Sequence, residues 1–208
     1  MSNRLDAEKY ITSMARPEGS PGPIPTTVSG YLCIDLVNSR FNDHTGRGRV
    51  YDRLERPEWR EWFAARCRAD PQAPLGAALH RQLAALRSLL RRLLETRQPP
   101  DDATVAALNQ MLASVRWWPE LARGSRGFEL RPARSDQGWR AVIAAVVASY
   151  AALLAEGGIK DVRTCANPHC SYMFHDGSPN SSRRWCDATV CGNLVNVQRH
   201  RARLSAAG

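Results

Sequence analysis

No run of about 18 apolar residues occurs in this chain, whose longest apolar stretch, Ala141 to Leu154, is interrupted by Ser149, so no membrane span is expected. Met1 to Arg4 lead into a polar segment rather than an apolar one, which predicts no secretory leader and therefore no disulfides, in a cytoplasmic protein. No serine or cysteine stands in a nucleophile elbow, and His44 beside Asp43 resembles a catalytic pair only superficially, so no enzyme is expected. Lysine is nearly missing: Lys9 and Lys160 stand against 27 arginines, a compositional bias that weakens any argument from one arginine run alone.

The 208 residues carry a net charge of +9, which favours anionic partners. Residues 1–28 read as a flexible arm: Leu5 to Ala15 could form a short helix, and residues 16–27 hold four prolines and two glycines. Residues 29–160 are long enough to bury a core of their own, and residues 161–208 hold four of the six cysteines. Leu79, Leu83, Leu86, Leu90, Leu93 and Leu94 predict an amphipathic helix over Leu75 to Thr96, with Arg81, Arg87, Arg91 and Arg92 on its opposite face. Trp59, Trp62 and Phe63 form an aromatic stripe on a helix opening at Pro57, and Asp101 or Asp102 can cap a helix running through Leu112. Residues 41–53 read as a surface loop, and Gly127 to Arg131 with Gly138 to Val142 as a hairpin turning at Ser135 to Gln137. An alanine-rich helix then ends at Gly157 and Gly158. The fold class expected is mainly α with a small antiparallel β-hairpin element, followed by a small C-terminal unit.

That unit carries the chemistry. Cys165, Cys170, Cys186 and Cys191 stand as C-x4-C-x15-C-x4-C, a spacing that suits a tetrahedral, thiolate-preferring ion. Zinc is favoured over two disulfides or four unrelated thiols. Four protein ligands leave no open position, so the zinc is structural rather than hydrolytic. His169 and His175 are read as bystanders, and Cys33 and Cys67 as ordinary reduced thiols. Gly192 to Leu204 contains no proline and predicts a terminal helix, with Leu194, Val197, Arg201 and Leu204 in one stripe and Asn196, Arg199, His200 and Arg203 on another face. Residues 178–208 hold five arginines against Asp187, a formal charge that falls to about +2 once a Zn(Cys)4 centre is counted.

Cys165-Ala-Asn-Pro-His-Cys170, Ser182-Arg-Arg-Trp-Cys186, Cys191-Gly-Asn-Leu194 and Gln198-Arg-His-Arg-Ala-Arg203 together resemble the CGNR-type zinc finger. Leu32-Cys-Ile-Asp-Leu-Val-Asn38 is similar to the N-terminal signature of ABATE, the helical domain that precedes that finger. The resemblance implies a bacterial transcription regulator whose finger, a treble-clef or ribbon-like hairpin plus terminal helix, binds DNA. Contact candidates are Arg183, Arg184, Asn193, Asn196, Arg199, His200, Arg201 and Arg203, and the body would bind a small-molecule effector or form a homodimer. The finger departs from the family at Leu194, where the arginine of Cys-Gly-Asn-Arg belongs, and at Asn196, where a basic residue is common. Asp35 and Asn38, polar within an apolar helix, are either ties for the domain's own backbone or weak ligand-binding candidates. A zinc-stapled protein–protein adaptor that never touches DNA is the alternative.

Overall fold

The computed structural model describes residues 29–124 and 127–206; the predicted arm of residues 1–28, with its helix over Leu5 to Ala15, lies outside them. The described elements are α1 (Leu32–Val37), β1 (Arg40–Asn42), β2 (Val50–Asp52), α2 (Pro57–Arg66), α3 (Ala77–Thr96), α4 (Asp102–Ala113), β3 (Trp117–Gly124), β4 (Gly127–Arg134), α5 (Trp139–Ala155), β5 (Val162–Thr164), β6 (Met173–His175) and α6 (Asn193–Ala206). The six strands pair as three separate antiparallel ribbons, β1–β2, β3–β4 and β5–β6. About half of the described chain is helical, as the fold class predicted.

The core follows the periodicity of the helices. Leu83, Leu86, Leu90 and Leu94 form the buried face of α3, at spacings of three and four residues. α5 is buried almost all round from Ala141 to Val147, because α1, α3 and α4 all pack on it. Trp59 and Phe63 of the aromatic stripe stack at 4.7 Å between ring centres and enter the same core. Helix ends follow local chemistry. Asp101 caps α4 by accepting from the Thr104 N–H at 2.8 Å, Pro57 opens α2, and Gly157 takes the left-handed conformation (φ 69°) that ends the α5 segment.

Three expectations need correction. The second hairpin is one strand earlier than predicted: β3 runs through Trp117-Trp118-Pro119, and Gly138 to Val142 opens α5 instead. Gly124 pairs with Gly127 across a two-residue connection, where Gly127 adopts φ 116°, so the turn falls between these glycines rather than at Ser135 to Gln137. Residues 41–53 are not only a loop, since Arg40, Phe41 and Asn42 pair with Asp52, Tyr51 and Val50. Arg87 does not lie on a solvated face: it is buried, and its guanidinium grips Asp52 with two bonds of 2.6 Å while also donating to Ser39 Oγ at 2.9 Å. Among the described residues no helix is long and apolar enough to cross a membrane.

A four-cysteine knot seated on the helical body

The knot is built by two short segments brought together by the β5–β6 ribbon. Cys165 directly follows β5, and its N–H donates to the Tyr172 carbonyl at 2.8 Å, which closes Cys165 to Cys170 into a knuckle. Asn167 shapes that knuckle, its Oδ1 accepting from the His169 N–H at 3.0 Å and its carbonyl from the Cys170 N–H at 2.9 Å. Cys186 and Cys191 flank Asp187, whose carboxylate accepts from the N–H groups of Thr189 and Val190 and starts the π-helical turn Ala188–Gly192 that runs straight into α6. The cysteine pairs thus hold a knuckle on one side and a helix start on the other.

All four Sγ atoms are buried and lie within 4.8 Å of one another. Cys170 to Cys186 measures 3.8 Å and Cys186 to Cys191 3.7 Å. A tetrahedron with Zn–S bonds of about 2.3 Å has S···S edges of about 3.8 Å, whereas a disulfide needs about 2.05 Å. The site fits Zn2+. Two N–H···S contacts support thiolate charge, from the Cys186 N–H to Cys165 Sγ at 3.5 Å and from Asn167 Nδ2 to Cys191 Sγ at 3.6 Å. By contrast burial pushes the isolated Cys33 thiol up to about 12, so it stays protonated and inert.

The knot rests on the body through polar contacts at fixed positions. Asn38 Nδ2 donates to the Met173 carbonyl at 2.8 Å, and the Met173 N–H donates back to Asn38 Oδ1 at 2.8 Å, so the side chain acts as an extra strand residue beside β6. Arg91 donates to the carbonyls of Ser171, Val37 and Arg40, and Asn167 Nδ2 to that of His44. Phe41 and Tyr51 of the β1–β2 ribbon share one apolar cluster with the four cysteines, Tyr172, Phe174 and Trp185. Arg53 lies 4.4 Å above the Phe41 ring. At Gly46 (φ +83°) a side chain would meet the His169 imidazole at 3.1 Å, so the β1–β2 loop closes tightly over the knuckle.

Asp35 of α1 and Asn38, which follows it as the C-cap, are both engaged inside the protein. Asp35 accepts from Ser29 N–H and Oγ and pairs with Arg66 at 2.8 Å. Burial pushes its carboxyl above the ordinary range, against the opposing pull of Arg66. Asn38 is used by Met173. Asp43 is held by Thr45 in its own turn, not by His44.

The arginine candidates divide into two groups. Arg183 turns inward: its guanidinium donates to the carbonyls of Trp185 and Cys186 and lies 4.5 Å over the Phe174 ring. Arg184 is exposed against Trp185, and Asn193 Nδ2 donates to the Thr189 carbonyl one turn back. On α6 only Val195 is buried, while every residue from Asn196 to Ala206 is exposed, Arg199, His200, Arg201 and Arg203 included. The predicted stripe of Leu194, Val197, Arg201 and Leu204 is therefore not the packing face: Val197 is 48% and Leu204 63% exposed. Only Val195, in the first turn of α6 behind the π-helical turn Ala188–Gly192, packs on the protein.

Sequence reasoning missed two residues that build the site. Asp176 is a hub, accepting from Ser178 N–H and Oγ and from the Arg183 N–H and pairing with Arg163 at 3.2 Å. Asn167 is the other, while Asn38 was expected to tie backbone or bind a ligand and only its partner was unforeseen. Asp176-Gly177 and Asn167-Pro168 are visible as turn dipeptides, but Asn38 and Met173 are 135 residues apart and no local pattern joins them.

Two family models match the chain. Residues 162–204 match the CGNR zinc finger, and residues 30–157 match ABATE, described as "Putative stress-induced transcription regulator". Neither description is that of an enzyme. No curated protein matches. The ABATE match spans well over half of the chain and the finger follows in the expected place, so the chain belongs to the ABATE family with a C-terminal CGNR zinc finger.

Proposed function

We propose that the protein is a cytoplasmic, non-enzymatic transcription regulator that binds double-stranded DNA through α6 and the outer face of its zinc knot. The observation that supports this most is the exposure of α6 beyond Val195, which presents Arg199, His200, Arg201 and Arg203 in eleven residues that hold no acid. Asn196, Asn193 and Arg184 flank them, whereas Arg183 is spent on holding the knot. The zinc orients the helix and takes no part in chemistry. A modest charge of about +2 suits a module that gains affinity by engaging two half-sites. The body would set the separation of two fingers, and an effector bound there would shift it.

The test recovers bound fragments from the organism's own genome and measures their affinity across salt concentrations. Changing Arg199 and Arg203 to Ala should weaken binding to all fragments and reduce the salt slope by about 2. Unchanged affinity and slope would refute α6 as the DNA-contacting element. The exposed Val197 and Leu204 favour the second reading, a protein-docking helix. In that case no fragment would be retained even at low salt.

A further inference from the structure

The β3–β4 ribbon is packed chiefly against itself, and no strand pairs with either of its outer edges among the described residues. A lone two-stranded ribbon is marginal in water, so one this long in a packed protein implies something that covers it. Its register places positions 117, 119, 121 and 123 on one face with 134, 132, 130 and 128. On that face Trp117 is 36%, Leu121 66% and Phe128 65% exposed, with Pro119 and Pro132 paired between them. The other face carries the exposed Trp118 (46%) beside Glu120, Glu129 and the buried Ala122, so it is mixed rather than apolar.

Edge pairing is blocked. The Ser135 N–H donates to the Arg116 carbonyl at 3.1 Å, which makes 116/135 a hydrogen-bonded pair and, by alternation, 119/132 a non-bonded one. The backbone nitrogens of Pro119 and Pro132 therefore face outward, one on each edge, and neither has a hydrogen to donate. What remains for docking is the apolar face.

The geometry points to a second copy of this chain as the occupant, docked face to face across a two-fold axis through the middle of the ribbon. In that arrangement the Arg123 end of one ribbon, whose guanidinium already lies 4.9 Å over Phe128, meets Trp117 of the other, a cation against an aromatic face. The other face-to-face two-fold, along the strands, lays β3 over β4 and sets Arg123 on Phe128 of the other copy, so a cation meets an aromatic ring either way. Eight residues at about 3.3 Å each and two strands about 5 Å apart give a footprint of roughly 250 Å². Stable partners bury about 800 Å² each, so this face alone makes a weak dimer. The net charge of +9 on each copy weakens it further at low salt. Two copies held on adjacent half-sites would meet at high effective concentration and dock there. The inference rests on the DNA-binding reading only for that last step.

Sedimentation velocity on the full zinc-loaded chain, from about 1 μM to about 1 mM and at two salt concentrations, tests it. The mass average should climb toward a dimer with concentration and climb further with salt, the opposite sign to DNA binding. Leu121→Glu with Phe128→Glu should raise the dimer dissociation constant at least about tenfold, with circular dichroism and zinc content unchanged. Val197→Glu with Leu204→Glu should leave dimerisation intact. A wild type that is monomeric throughout would overturn the proposal, whether residues 1–28 cover the face or nothing does. So would a ribbon variant that dimerises as well as wild type, or loss of the dimer in the α6 variant instead. Dimerisation without DNA retention would sink the DNA reading and leave this one standing.

Discussion

Asn38 spends both ends of its amide on the backbone of Met173, and that exchange lies in the buried seam between the body and the knot. Asn38→Ala leaves one buried N–H and one buried carbonyl without partners, which should cost about 2–3 kcal/mol in denaturant unfolding of the zinc-loaded protein. A loss under about 0.5 kcal/mol would mean that water replaces the amide at no net cost. Asp52 makes a different kind of tie. Burial pushes its carboxyl up, but Arg87 outweighs that and holds the pKa below its ordinary value. A depressed carboxylate contributes stability above its unfolded value of about 3.9 and loses it as pH falls through the folded value. Wild type should therefore melt well above Asp52→Asn at pH 6, and the two melting temperatures should converge toward pH 3. Parallel curves would show that the Asp52 charge is not what the pair contributes.

At the scale of elements, what could be read in advance was whatever repeats locally. The leucines of α3, the Asp101 cap and the four-cysteine spacing are each set by residues within a few turns of one another. The β3–β4 ribbon was misplaced because Trp139-Arg-Ala-Val142 alternates like a strand over four residues. Only the burial of Ala141 to Val147 on all sides makes it the first turn of α5. The β1–β2 ribbon was hidden by three-residue strands, too short for a period-two signal. The stripe of Leu194, Val197, Arg201 and Leu204 on α6 has helical spacing but no partner beneath it among the described residues, because the helix leaves the knot after Val195. Arg87 and Arg91 looked like solvent-side charges of an amphipathic helix. They lie where α3 passes the knot, and each finds oxygen acceptors there.

For the molecule as a whole, metal and fold are coupled across the boundary between the two family matches. The four sulfurs share an apolar cluster with Phe41 and Tyr51, which belong to the body. Stripping zinc with a chelator should therefore raise hydrogen exchange not only over residues 162–204 but also over 38–53, while Leu83 to Leu94 of α3 stays protected. Protection of 38–53 that survives chelation would show the seat to be self-sufficient. The same shared cluster bears on how such proteins could be recombined. A splice at residue 160 follows the family boundary, yet the finger would reach its new host without Asn38, Phe41, Arg53 or the loop that closes on His169. A transplanted finger has to bring residues 38–53 along, so the unit that must be inherited together with the metal site is discontinuous in the chain.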